Sequence, residues 1–114
     1  LTLGKLYETQ KDYPKAEETY RQAMKHGNKY QSTVTAQSLH RLSWIYEAQK
    51  NNQQMLLVLL DLIKSPGLQD VYVLETETPA RIANVYYVLG QWDKAQEWRN
   101  KVKIIPPQKG GDVT

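Results

Sequence analysis

Residues 3–23 hold three landmarks in order: Leu3-Gly4-Lys5-Leu6-Tyr7, then Asp12-Tyr13-Pro14-Lys15-Ala16, then Tyr20 and Ala23. Leu3, Leu6 and Tyr7 recur at the spacing of one helix face, which predicts a helix over residues 1–10. Asp12 is an N-cap candidate and Pro14 is tolerated in a first turn, so a second helix is expected from there to about His26, stopped by Gly27-Asn28. Small residues at Gly4 and Ala16 allow two antiparallel helices to approach closely, with Leu3, Tyr7, Tyr20 and Ala23 filling the seam. Glu17, Glu18, Arg21 and Lys25 form the outward, wet face of the second helix. A hairpin of this size cannot bury its apolar face alone and needs neighbours of the same kind.

Such neighbours can be read further along. Setting Tyr7 against Tyr46 and Tyr86 places Leu3 opposite Leu42 and Ile82, Gly4 opposite Ser43 and Ala83, and Ala16 opposite Met55 and Ala95. The separations are 46 − 7 = 39 and 86 − 46 = 40 residues. The second copy departs most, with Met55 and Leu59 where a small and an aromatic residue are expected. The third has Gly90, Trp92 and Ala95 in place, but Arg99 where an aromatic is usual.

In these landmarks the sequence resembles the tetratricopeptide repeat family, whose unit is about 34 residues, so each junction carries roughly five or six extra. The resemblance implies an all-α fold, a right-handed superhelical array of antiparallel helical hairpins at about 1–28, 36–64 and 79–103. Residues 104–114 are expected to be a mobile tail. It also implies a concave groove lined by the first helix of each hairpin. That groove takes Lys5, Glu8 and Thr9 from the first hairpin, Gln37, His40, Arg41, Trp44 and Glu47 from the second, and Arg81, Asn84, Tyr87 and Val88 from the third. Trp44 is the leading anchor, since aromatics and Arg dominate protein interfaces. The competing reading packs Trp44 against a neighbouring repeat.

Between hairpins, residues 29–35 form a first insertion, with the next helix beginning near Ser32. Asn51-Asn52 is a turn. The helix from Gln53 to Ile63 is apolar nearly all round, which calls for a cover. Ser65-Pro66-Gly67 stops it. The second insertion, 68–77, contains Val71-Tyr72-Val73-Leu74 and reads as a separate turn or short helix before Pro79. It is expected to fold over Leu57, Val58 and Leu60; left exposed with Trp98, those residues would instead make an interaction patch.

At 114 residues with 40% apolar content, five Pro and six Gly, the chain has the length and composition of one globular domain. The lack of cysteine excludes disulfides, thiolate catalysis and zinc–thiolate sites, and fits an intracellular protein. There is no initiator Met, and Leu1 already falls inside a predicted helix, so a piece of a longer protein is expected. Its open ends are expected to pack on other parts of that protein or on another copy. The longest apolar run, Met55–Leu60, is far short of the roughly 20 residues that span a bilayer.

The net charge of +3 comes from 15 basic and 12 acidic residues that alternate along the helices, the pattern of a solvated surface. An RNA-binding helical repeat is the alternative function, but it needs basic residues gathered in the groove, and Glu8 and Glu47 interrupt them. His26 and His40 lie 14 residues apart, outside any two-ligand helical spacing; a helix C-terminal role suits His26. No phosphate-binding loop or nucleophile motif occurs, and Glu17-Glu18 and Glu75/Glu77 fall on predicted surface, so a non-catalytic chain without cofactor or metal is expected. Some members of the family clamp a chaperone's C-terminal carboxylate with Lys, Asn and Arg. The matching positions here hold Leu1, Lys5, His40, Arg41, Trp44 and Arg81, with Glu77 in place of a Lys and no Asn pair, and such binding is not expected. The overall expectation is a protein–protein interaction module, an adaptor or scaffold that holds a partner peptide or helix in the groove.

Overall fold

The structure, a computed structural model, describes residues 2–25 and 32–104. They form α1 (Thr2–Thr9), α2 (Tyr13–Lys25), α3 (Ser32–Ala48), α4 (Asn52–Ile63), a π-helical turn (Val73–Glu77), α5 (Thr78–Val88) and α6 (Trp92–Arg99). No strand occurs among the described residues. The expected ending of α2 at His26 to Asn28, the insertion up to residue 31 and the tail from 105 lie outside them. The chain divides into two compact units, one up to Leu68 and one from Gln69.

In the first unit α1 packs on α2, α2 on α3 and α3 on α4. The α1/α2 seam is set by Gly4: a Cβ built there would stand 2.6 Å from Tyr20 Cζ. Only glycine lets the phenol ring lie flat against the α1 backbone. Tyr20 and Ala16 are fully buried, whereas Leu3, expected in the seam, is 52% exposed. The core continues through Leu39, Leu42, Ile45 and Tyr46 of α3 and Met55, Val58, Leu59 and Leu62 of α4.

Three helical hairpins, α1–α2, α3–α4 and α5–α6, close with one turn. In the first, the N–H of Lys11 donates to Glu8 C=O (2.9 Å) and that of Asp12 to Tyr7 C=O (2.9 Å). Lys50 and Asn51 repeat this onto Glu47 and Tyr46, and Gly90 and Gln91 onto Tyr87 and Tyr86. This is the Schellman arrangement, which needs a left-handed residue just beyond the helix. Lys11 (φ 59°), Lys50 (φ 58°) and Gly90 (φ 81°) supply it, each four residues after its tyrosine. Asp12 and Asn51 then cap the following helices, their side-chain oxygens accepting from the N–H of Lys15 (3.4 Å) and Gln54 (3.3 Å).

The second unit corrects the reading of residues 68–77. Asp70 Oδ1 accepts from the N–H groups of Tyr72 (3.0 Å) and Val73 (3.3 Å), starting a helix at Val71 that runs through the π turn into α5. Tyr72, Glu77 and Thr78 all keep helical dihedrals, and the Thr78 N–H reaches back five residues to Val73 C=O. Pro79 is the cause. It has no N–H to give Glu75 C=O, its α-helical acceptor four residues back, and the helix widens just before it. The Glu75 carbonyl is satisfied instead by the N–H of Lys103 at 2.9 Å, while Thr76 Oγ1 donates to Lys103 C=O and Lys103 Nζ lies 3.7 Å from the Glu75 carboxylate. The chain leaving α6 is thereby fastened to the π turn. Thr78, Ile82, Ala83, Val85, Tyr86 and Ala95 are buried.

The apolar surplus of α4 is mostly absorbed: Val58 is buried and Leu60 half-buried, but Leu57 stays 55% exposed. Val71 is 49% exposed. Trp98 is half-buried beneath Lys101, whose ammonium lies 4.2 Å from the ring centroid.

Candidate partner-binding faces

On α3, positions 37, 40, 41, 44 and 47 fall on one face because three- and four-residue steps return to the same side of a helix. Gln37, His40 and Arg41 join Lys5 of α1 around a shallow depression. Trp44 stands one turn further along, 37% exposed. Its Nε1–H donates to His40 Nε2 at 3.3 Å, with the rings edge to face at 6.1 Å and 68°. That bond assigns His40 its Nδ1–H form when neutral and steadies the indole over the helix. Lys5 and Glu47 are exposed.

Glu8 sits beside this face but is engaged internally. Its carboxylate accepts the hydroxyl proton of Tyr20 and lies 3.8 Å from Arg41 Nε. Burial first, and then the bond to Glu8 and its charge, push the Tyr20 hydroxyl far above the usual tyrosine range, against the opposing pull of Arg41. Because Arg41 keeps about a third of its side chain exposed, it serves both the link from α1 to α3 and the rim of the depression.

A matching arrangement joins α2 to α3. Tyr46 donates its hydroxyl to Glu17, Arg21 Nη2 donates to the same hydroxyl at 2.6 Å, and Arg21 Nε lies 3.6 Å from Glu17. Burial and the Glu17 bond raise the Tyr46 hydroxyl, while Arg21 lowers it; the bond to Tyr46 in turn raises Arg21. The expectation that Glu17 and Arg21 belong to a purely wet face is therefore corrected: a tyrosine buried by its ring still requires a partner for its hydroxyl, and these two residues provide it.

In the second unit the sequence-derived residues separate. Asn84, Tyr87 and Val88 are exposed, Tyr87 by 55% and Val88 by 64%. Arg81 is only 8% exposed and interacts within the protein, so it does not present an open face. Sequence reasoning missed the role of Trp92, which is 60% exposed and stands edge to face with Tyr87, centroids 4.8 Å apart. The available signal was its place directly after the left-handed Gly90 and Gln91, where α6 begins and turns the indole back toward the end of α5.

Among the described residues no group of three or more His, Cys, Asp or Glu could hold a metal ion, and no helix is long and apolar enough to cross a membrane. Both units are built from antiparallel helices joined by short turns, which places the protein in the class of all-α helical-hairpin proteins. Residues 1–25, most of the first hairpin, match the tetratricopeptide repeat family, which supports a repeat of that kind there. Such repeats are protein–protein interaction elements and typically non-catalytic. No curated protein and no solved structure matches the chain.

Proposed function

We propose that this protein is an adaptor or scaffold whose three hairpins are successive repeats, and that it holds a segment of a partner protein on the exposed faces of the first helices. The single observation that carries the reading is the α1/α3 face. Lys5, Gln37, His40 and Arg41 surround one depression, with Trp44 fixed beside it by His40. A half-exposed indole held in one orientation loses little freedom on binding, and the surrounding donors set the direction of a bound chain. The turn shared by all three hairpins, with its left-handed residue at a constant offset, supports their equivalence. Within the second unit, Asn84, Tyr87 and Val88 are exposed on α5.

The test is selection of peptides on the wild-type protein from a random display library, followed by calorimetry of the selected peptides on wild type, Trp44→Ala and Lys5→Glu. Both side chains are exposed enough for the variants to keep the helical circular dichroism of the wild type. About a tenfold or greater loss of affinity in Trp44→Ala is expected for an interface anchor. Unchanged affinity in both variants would refute the reading.

A further inference from the structure

The turn of the third hairpin presents two exposed aromatic side chains, Tyr87 and Trp92. Tyr87 and Trp92 are both more than half exposed, and their rings stand at 67° to each other with centroids 4.8 Å apart. Two rings at that angle form the walls of a corner. Beside the indole, Gly90, Gln91, Trp92, Asp93 and Lys94 line a depression, and a Cβ built on Gly90 would meet nothing within 4 Å.

We propose that this corner binds a cationic side chain, an arginine in a basic segment of a partner protein. Charge decides the occupant. Of the two ionisable residues in the depression, Lys94 directs its ammonium over the ring of Tyr86, 5.9 Å from the centroid. Asp93 is exposed and no described residue pairs with it, whereas the next acid on the helix, Glu97, lies 4.0 Å from Lys101. The corner therefore offers aromatic faces, which attract cations through their quadrupole, next to one carboxylate with open acceptor positions. A guanidinium suits both groups, since its plane stacks on aromatic rings and its edge donates to carboxylates. The chain uses the same ring–cation contact elsewhere: Lys15 lies 5.8 Å from the Tyr7 ring centroid and Lys101 4.2 Å from that of Trp98. An anionic or purely aliphatic segment would leave Asp93 repelled or unpaired.

The experiment is a ¹H–¹⁵N titration of the full chain with a capped Gly-Arg-Arg-Gly peptide, with the same peptide carrying citrulline for arginine, and with Gly-Leu-Leu-Gly. The expected result is a shift of the Trp92 indole N–H and the Asp93 amide with the arginine peptide, at least fivefold weaker with citrulline. Asp93→Asn should weaken arginine binding about threefold, and Trp92→Ala about fivefold. Equal response to arginine and citrulline, a preference for the leucine peptide, or silence at Trp92 would each overturn the proposal. So would concentration-dependent shifts at Trp92 without peptide, which would assign the corner to a second copy of the chain. Because the variants of the α1/α3 test leave Trp92 and Asp93 intact, failure of either proposal is seen separately.

Discussion

Replacing Gly4 by alanine sets two physical effects against each other, and the structure says which one wins. By intrinsic propensity the change should help: glycine inside a helix is less favourable than alanine by about 1 kcal/mol. The new methyl, however, would stand 2.6 Å from Tyr20 Cζ and 2.7 Å from Cε1, against the ~3.5–4 Å of a relaxed carbon contact. The ring must retreat by nearly an ångström. It has nowhere to go, because Tyr20 is fully buried and its hydroxyl is anchored on Glu8. Overpacking of this kind costs about 1–3 kcal/mol, and losing the bond to a charged acceptor costs about 1.5–3 more if the ring tilts. Net of the propensity gain, Gly4→Ala should destabilise the first unit by about 2 kcal/mol. Urea denaturation, followed by circular dichroism and by NMR signals from α1–α4, measures it. The stringent arm is the same change in a Tyr20→Val background, where the obstacle is gone and alanine should stabilise. A Gly4→Ala midpoint at or above the wild type, or the same sign in both backgrounds, would refute the close approach that holds this hairpin together.

Three further outcomes are expected. Gly90→Ala should destabilise and Lys50→Gly should not, because both positions are left-handed (φ 81° and 58°) and a Cβ there costs about 1 kcal/mol; opposite ordering of the two urea midpoints would contradict the shared turn. In alkali, unfolded tyrosines lose their protons near pH 10, while folded Tyr20 and Tyr46 hold theirs to higher pH, so their contribution is complete below about pH 10 and lost as pH rises through the folded pKa values. The urea midpoint should therefore fall between about pH 9.5 and 11.5, and fall less in a Tyr20→Phe, Tyr46→Phe variant; identical slopes would show that the two hydroxyls are not the cause. Thr76→Val should remove the clasp on Lys103, cost about 0.5–1 kcal/mol, and speed amide exchange at Lys103 while leaving the middle of α5 protected, an exchange pattern that a spread-out effect would not give.

The helices were legible in the sequence because apolar spacing, Asp12 as a cap and the Asn51-Asn52 turn all act within a few residues. The geometry of the turns was partly legible: Gly90 announces a left-handed residue, but Lys11 and Lys50 take the same conformation with no such signal, because the Schellman bonds hold them there. The π turn was not legible as such. The segment before Pro79 reads as a separate turn or short helix, and the outcome depended on Asp70 capping from one side and Lys103, twenty-four residues beyond Pro79, satisfying Glu75 from the other. No local pattern contains that second partner.

The candidate faces divide along the same line. Lys5, Trp44, Glu47, Asn84 and Tyr87, positions that the family resemblance implied for the groove, are all exposed. Period fails for Glu8, Glu17 and Arg21, polar residues at outward positions that are drawn inward by tyrosine hydroxyls on the next helix. A buried tyrosine ring carries its hydroxyl to the far edge of the seam, and whatever polar side chain stands there becomes part of the packing. Tyr20 and Tyr46 do this in turn, one tying α2 to α1 and the other α3 to α2. Each first-helix face in this unit is thus anchored by a neighbouring helix through a charged intermediary. Lys5 and Trp44 are exposed and His40 and Arg41 partly so, and these are the residues on which the proposed partner face rests.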